Sequence, residues 1–583
     1  MKLRKKIALA AVALVTAGLL SSCSPGGSAQ QASSVSSFPK KWDKEITIDV
    51  FDGLANYMGM QDGWFGDMVK KKFNLKLNII APNVAGGGDT LYNTRVSAGN
   101  LGDLIITDKG QKLDELVKGG LVLDSTPYSQ AMSHVNAFKT ALTELNQGKK
   151  GIYAFPTSVS SLKPTQPSEG IDPTFGPFVR WDLYAKLGYP KLNTLEDLLP
   201  VLKKMQEAEP TAPNGKKTYA ISLFKDWDGN MMVTAKQPTT FYGYDEMGFT
   251  LAKADGSDYQ SLLDDKGQYF RALKFYQEAN AMGLVDPEST TQNFDTMQAK
   301  VKNGQVLFSW WPWLGQAAYN TDANTQAGKG FELAPVKDLK VFSYGAPAYG
   351  GTQVLAIGSK AKDPERIAAF IDWLYSAEGA YSNNSQTMGA AGPQGLTWDK
   401  NSSGKPELTD FGKKAFLSGD ADVPAEWGGG TYVKGASALN VTTVLPVDID
   451  PATGYSYSYK GWPSYQDLTK TPLSEDWSAH MGGAVTTMDY LTSNKKLMVA
   501  PGASFTTPTD ASEIQTLRNQ LKAIIIQYSW QMSFAKDDAE FASLKKELQD
   551  KANGLGYDKV LKVDLANAKE QNAQRVKVAK ELG

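Results

Sequence analysis

Between Ile46 and Ile106, strand-length apolar runs alternate with helix-length segments. This alternation constrains the fold more than any other feature of the chain. Ile46-Thr47-Ile48-Asp49-Val50-Phe51 reads as a strand, about Trp64 to Phe73 as a helix, and Leu75 to Ile80 as a second strand. Gly86-Gly87-Gly88-Asp89-Thr90 opens another helix, and Asp103-Leu104-Ile105-Ile106 makes a third strand. Strands alternating with helices predict a largely parallel sheet in an α/β domain. Glycines before a helix can cradle phosphate, but a Walker loop needs Gly-Lys-Ser/Thr, and Asp89 stands where the lysine would be. The triplet therefore reads as a tight turn, and nucleotide binding is not expected.

The middle of the chain continues the pattern. Thr194 with Asp197 resembles a capping box, and Leu195, Leu198, Leu199 and Leu202 keep helical spacing. Pro200 lies inside that run and predicts a kink or a restart. Asp363 before Pro364 is a cap-then-first-turn signal for a helix carrying Ile367, Phe370, Ile371 and Leu374 on one face. Ile514, Leu517, Leu521, Ile524, Ile525 and Tyr528 keep helical spacing. Asp537 or Asp538 begins a further helix that should stop near Asn553-Gly554.

The N-terminus carries a different signal. Lys2, Arg4, Lys5 and Lys6 precede an apolar run from Ile7 to Leu20, the architecture of a secretory signal peptide. Leu20-Ser21-Ser22-Cys23 resembles the bacterial lipobox, in which cleavage before the cysteine leaves a lipidated thiol. Ser24 to Ser37 then reads as a flexible tether. Cys23 is the only cysteine in 583 residues. Internal disulfides and thiolate zinc cages are thereby excluded, a catalytic Cys–His pair is excluded once that sulfur is acylated, and the fold must rest on its apolar core. No second apolar run is long enough to span a bilayer.

Acids and bases nearly balance, at a net charge of −1, so the basic stripe of a nucleic-acid binder is missing. Thirteen tryptophans and twenty-five tyrosines are the unusual feature. Many must be core, yet flat aromatic faces also stack on the C–H face of a sugar ring.

Phe51 to Ile106, with Gly63-Trp64-Phe65 and Ala98-Gly99-Asn100-Leu101-Gly102-Asp103-Leu104, resembles the N-terminal lobe of large extracellular solute-binding proteins. Gly119-Gly120-Leu121-Val122-Leu123-Asp124, followed by Thr126-Pro127-Tyr128, is similar to the element that comes next. Val179-Arg180-Trp181-Asp182 through Leu187-Gly188 resembles the start of the second lobe, and Trp530 to Gly556 the closing helices. The subgroup resembled is the large, lipid-anchored, oligosaccharide-binding set of the family 1 solute-binding proteins, which serve carbohydrate ABC importers and include binders of alginate and pectin fragments.

The resemblance implies two α/β lobes with ligand in a cleft and closure about a hinge. On that basis 1–22 is a signal peptide and 23–38 the lipidated cysteine with its tether. Residues 39–175 form mainly the N-terminal lobe and 176–340 mainly the second. Segments within 341–510 cross and contribute to both lobes, and 511–583 are C-terminal helices. The implied partners are an oligosaccharide, the permease subunits of an ABC importer, and a membrane reached through the lipid anchor alone, on its extracytoplasmic face. The chain is expected to be a monomer without a cofactor.

Candidate ligand-binding residues follow from position. Asn56 and Tyr57 lie in the loop after the first strand, and Thr107 and Asp108 follow the third. Trp310-Trp311-Pro312-Trp313 is the densest aromatic cluster, and Pro312 is read as stopping regular structure so that at least one ring projects. Trp227 stands in the polar loop Asp226-Trp227-Asp228-Gly229-Asn230, and Trp427 beside Gly428-Gly429-Gly430. Tyr349, before Gly350-Gly351, resembles the family's cleft-lining turn. Arg180 could pair bidentately with a ligand carboxylate, fork two hydroxyls, or hold a structural salt bridge near the hinge. Trp64, near a helix start, could face the cleft, whereas Trp373 reads as core. For Trp310, Trp311 and Trp313 the competing role is packing in the core or under the hinge, and for Asn56 and Tyr57 it is a plain surface loop.

Some members of the family carry a calcium loop of EF-hand type. The matching stretch, Pro210-Thr211-Ala212-Pro213-Asn214-Gly215-Lys216-Lys217, keeps the Asn-Gly turn but lacks carboxylates, so no calcium is expected there. His134 and His480 are far apart, so no zinc site is expected either.

A secreted carbohydrate-active enzyme, a glycoside hydrolase or lyase, is the alternative. The many acids leave a catalytic carboxylate pair open, but there is no Gly-x-Ser-x-Gly elbow. A surface adhesin would show repeats, and none are found.

Overall fold

The computed structural model describes residues 34–82, 84–85, 90–384, 389–417 and 421–583. The signal segment, Cys23 with most of the tether, and the glycine triplet with Asp89 lie outside them.

The first lobe is built in chain order from β1 (Ile46–Asp52), β2 (Gly59–Met60), α1 (Gly63–Phe73), β3 (Leu75–Ile80), β4 (Leu104–Asp108) and β5 (Phe155–Pro156). The chain then enters the second lobe with β6 (Phe178–Arg180), β7 (Phe308–Ser309), α2 (Pro312–Tyr319) and β8 (Phe331–Leu333). It crosses back on β9 (Val341–Tyr344) and adds β10 (Gln353–Ile357) and α3 (Pro364–Leu374) to the first lobe.

The first-lobe sheet has the order β2-β3-β1-β4-β10-β5. β1 runs parallel to β3 and β4, as the alternation predicts, while β2 and β10 run antiparallel to them; β5, antiparallel to β10, runs in the direction of β1 again. The antiparallel β10 is supplied by a segment that has first visited the other lobe, which no local pattern could announce. Both faces of the sheet are covered. Ile48, Val50, Leu77 and Ile106 pack against α1 and α3, and Phe51, Ile105, Val354 and Ala356 pack against the helices on the other side. This two-sided burial explains the nearly continuous apolar strands.

α1 starts where two backbones nearly touch. Gly63 has φ +72, and a Cβ there would lie 2.2 Å from the Gly435 Cα, so only glycine fits. α3 begins as its signal predicts, with the Asp363 side chain accepting from the Arg366 N–H. The Thr194 capping box forms as well. It closes a short 3₁₀ turn, after which an α-helix restarts at Leu198 with Pro200 in its first turn, where a missing N–H costs nothing.

The second lobe is centred on the antiparallel sheet β7-β6-β8. Three crossing segments join the lobes side by side. Pro167 bridges to Gly345, Ser168 donates to the Tyr344 carbonyl at 2.8 Å, and β9 pairs in parallel with β11 (Leu497–Ala500). A further passage leads through α4 (Pro472–His480) into the second lobe.

The closing helices α5 (Ser512–Ser533), α6 (Asp538–Gly554) and α7 (Tyr557–Leu582) pack on that lobe. Tyr269 and Ser529 share a buried hydrogen bond of 2.8 Å, and Tyr557 stacks on Phe249. Asp537 caps α6 and the helix ends at Gly554, both as expected. The left-handed glycine is Gly556, at φ +84, two residues later than the Asn-Gly pair suggests. No helix among the described residues is long and apolar enough to cross a membrane.

Candidate functional site

Beside the crossing segments, two hollows of about 850 and 450 Å³ open between the lobes. Both are lined by Ile171, Lys460, Gln466 and Thr486, so they form one groove. The crossing segment from Pro167 to Asp172 lies along it. The first lobe contributes Phe416, Tyr432, Tyr459 and Tyr465, with Phe416 stacked on Tyr459 at 4.3 Å. The second lobe contributes Gln316, Glu332, Trp477 and the stretch Thr486–Thr487.

Burial raises three carboxyl groups here, of which Glu332 is buried and Glu169 and Asp172 are half-buried. Glu169 accepts from Ser343 Oγ at 2.6 Å, the Tyr344 N–H at 3.1 Å and Thr174 Oγ1 at 3.2 Å, yet burial still pushes it up. Glu332, 9% exposed, is pushed up to about 8, first by burial and then by the charge of Asp172. Gln316 Nε2 donates to Glu332 Oε2 at 2.9 Å. Asp172 is itself raised by burial, with the Thr487 hydroxyl and the charge of Lys460 acting the other way.

An aromatic platform adjoins the groove. Pro312 occupies the first position of α2, where its fixed φ suits a helix start; it begins regular structure rather than stopping it. Trp313 follows, 42% exposed, and stacks on Trp311 at 4.8 Å and 18°. Gln316 is three residues further and therefore lies on the same helix face as Trp313, which sets the platform beside the smaller hollow. Trp227, 45% exposed, stacks on Phe294 at 4.2 Å and lies 6.1 Å from Trp313. Its polar loop is held at both shoulders. Asp226 accepts from the Phe294 N–H, while Asp228 accepts from the Val233 N–H and from Trp530 Nε1 at 2.7 Å. The indole N–H groups of Trp227 and Trp313 have no partner among the described residues. A held ring with an open face and a free donor is what a hydroxylated ligand can use.

The sequence profile described as "Bacterial extracellular solute-binding protein" matches residues 62–381. The chain belongs to that family. Solved structures share the fold of this solute-binding protein at low identity. One, an HMO-binding, ABC-transporter-associated solute-binding protein from Bifidobacterium longum infantis, superposes with a TM-score of 0.57 at 14% identity, covering 90% of this chain and 98% of its own. An alginate-binding protein solved without calcium gives 0.53 at 16%, covering 91% and 99%. A fructo-nystose complex of a Streptococcus pneumoniae substrate-binding protein gives 0.52 at 17%, covering 91% and 100%. No curated protein sequence matches.

Several residues predicted from sequence sit elsewhere in the solute-binding protein. Trp64 is fully buried, stacked on Tyr432 at 5.3 Å and donating from Nε1 to the Tyr432 carbonyl, so it is core and not cleft. Trp310 is also core: it is 1% exposed and donates to the Tyr276 hydroxyl at 2.7 Å. Trp311 is buried, with Nε1 on Gln237, and serves as the backing of Trp313 rather than as a free face.

Arg180 is fully buried. It forks Asp182 through Nε and Nη2 at 2.8 Å each, reaches Glu209, and lies over Tyr319, so the structural ion pair is the role it fills. Thr107 is buried in the sheet opposite Val354, and Asp108 faces Lys112 at 3.5 Å. Trp373 is core, as expected.

Asn56 and Tyr57 are exposed. Asn440 donates to the Leu54 carbonyl and Gln61 binds Ala436 and Ala438, which sets their loop against the segment that follows groove residues Tyr432 and Val433. Tyr349 is half-buried, and its neighbours Gly350 and Gly351 pack on Thr157 and Ser158. Trp427 lines a separate hollow on the first lobe with Met68, Tyr381 and Trp398. The loop Pro210–Lys217 closes on itself through Ala212 and Lys216, with Gly215 at φ +77, and the preceding acid, Glu209, is engaged by Arg180. His134 pairs with Asp372 at 2.7 Å, while His480 stacks on Tyr189.

Sequence reasoning missed Glu332, Asp172, Lys460 and Tyr465. One signal was present: Glu332 is a lone acid inside the apolar strand Phe331-Glu332-Leu333.

Proposed function

We propose that this solute-binding protein captures an oligosaccharide in the interlobe groove and delivers it unaltered to the permease of an ABC importer. The observation that carries the reading is the held, open platform of Trp227 and Trp313 beside a groove lined by polar groups from both lobes. Sugars demand such a mixture, apolar rings for C–H faces and polar groups for hydroxyls. The ligands named for the structural neighbours, HMO, alginate and fructo-nystose, support the same class. A ligand touching both lobes shifts the population toward the closed form, which a permease can read without chemistry on the solute.

The test is a thermal-shift screen against oligosaccharides, followed by chromatography of the sugar. A raised melting temperature with unchanged sugar supports capture. The raised Asp172 and Glu332 carboxyls give the enzyme alternative its foothold, because glycoside hydrolases use an acid of raised pKa beside a second carboxylate. New, shorter products would establish that alternative instead.

Anchoring through Cys23 is part of the proposal and rests on the Leu-Ser-Ser-Cys motif. Cys23→Ser is expected to release the protein into the medium; a variant that stays on the membrane contradicts the anchor. The reading also takes the protein to act as a monomer.

A further inference from the structure

Glu332 is nine-tenths buried, yet it opens onto the smaller hollow of the groove. Its Oε2 is occupied by Gln316, whereas its Oε1 has no hydrogen-bond partner among the described residues. Asp172, from the crossing segment, lines the same hollow close enough for its charge to act on Glu332. Two unlike elements, a strand of the second lobe and a crossing segment, thus turn carboxyls into one space. Gln316, which orients Glu332, lies on the helix face that carries Trp313.

Carboxyl oxygens in such a hollow accept hydrogen bonds, and the Asp172 charge that already acts on Glu332 repels a further carboxylate, because repulsion grows as water is excluded. Lys460 is the cation whose charge reaches Asp172, but its side chain is exposed at the rim. The other lysine of the hollow, Lys470, is paired with Asp467 at 2.7 Å.

The geometry points to Asp172 and Glu332 as the specificity determinants of the groove, selecting saccharide units rich in hydrogen-bond donors, neutral or amino-bearing, and rejecting uronic acids. This inference rests on the oligosaccharide reading and divides the ligand chemistries that the fold's relatives span. Neutral sugars present two vicinal hydroxyls, which a pair of carboxyl oxygens can receive together. A uronate placed at the same point would bring a like charge against Asp172 and leave buried oxygens unpaired, the kind of mismatch that costs most in discrimination.

The experiment is calorimetric titration of the intact protein with neutral oligosaccharides (malto-, fructo- and galacto-series) and with alginate-derived oligouronates of equal length. Asp172→Asn and Glu332→Gln are titrated in parallel, and their folding is checked by melting curves. At least one neutral series is expected to bind, with oligouronates at least 100-fold weaker. Each variant is expected to lose tenfold or more for the neutral ligand and to narrow the gap to the uronate. Equal binding of uronates by the native protein overturns the inference, and so do folded variants with unchanged affinity and selectivity. If neither class binds the native protein, the oligosaccharide reading itself fails and the selectivity falls with it; uronate-only binding removes the selectivity and leaves that reading standing.

Discussion

Around Trp64 in the first lobe and Trp313 in the second, aromatic rings stack with almost the same geometry. Trp64 lies on Tyr432 at 5.3 Å and 6°, and Trp313 lies on Trp311 at 4.8 Å and 18°. The two sites differ in what surrounds the stack. Trp64 is sealed between α1 and the Gly435 turn, and its N–H is spent on a backbone carbonyl. Trp313 keeps one face in solvent and its N–H unspent, and Trp227 beside it does the same. Stacking alone therefore does not mark a binding surface. The free face and the unpaired donor do, because only these remain for a solute.

The largest effect that tests this contrast is on stability. Trp64→Ala empties a sealed site, and denaturant unfolding is expected to show a loss of about 3–5 kcal/mol. A variant as stable as the native chain would mean that the ring is not core. Next comes Trp313→Ala. Loss of a stacked, open ring is expected to weaken saccharide binding by about 2 kcal/mol, over tenfold, with the melting temperature preserved. Normal affinity, or loss of fold, would break the contrast from the other side.

Trp310→Phe makes a finer cut. It keeps most of the buried ring but removes the donor to the Tyr276 hydroxyl. A stability loss of about 1–2 kcal/mol with unchanged affinity is expected; reduced affinity would move Trp310 into the site. The smallest effect belongs to Trp427→Ala. This ring lines its own hollow on the first lobe, so calorimetry is expected to return the native affinity. A clear loss would join that hollow to the groove.

What the sequence made legible was local. β1, β3 and the course of α1 follow from runs whose periods switch between two and 3.6, and α3 follows from Asp363-Pro364. What it misjudged depends on the far side of the molecule. Pro312 can stop one element or start the next, and only the packing of α2 against β7 and β8 decides. Whether Trp64 faces the cleft depends on Tyr432, 368 residues away. Arg180 could be read as a ligand fork because Glu209 and Tyr319, which surround it, come from other elements.

The groove's acids were missed for the same reason, although Glu332 stands out as a lone acid in its strand. Asp172 and Glu332 come from a crossing segment and a strand, and neither belongs to a motif. The first-lobe wall of Phe416, Tyr432 and Tyr459 lies beyond the stretch that matches the family profile, so resemblance gave no guide to it.

The account stands on capture between two lobes that close about the crossing segments. Small-angle scattering of the free protein and of the protein saturated with a bound oligosaccharide tests this most directly. A smaller radius of gyration with ligand is the predicted result. An unchanged radius, at saturation established by calorimetry on the same sample, would contradict it.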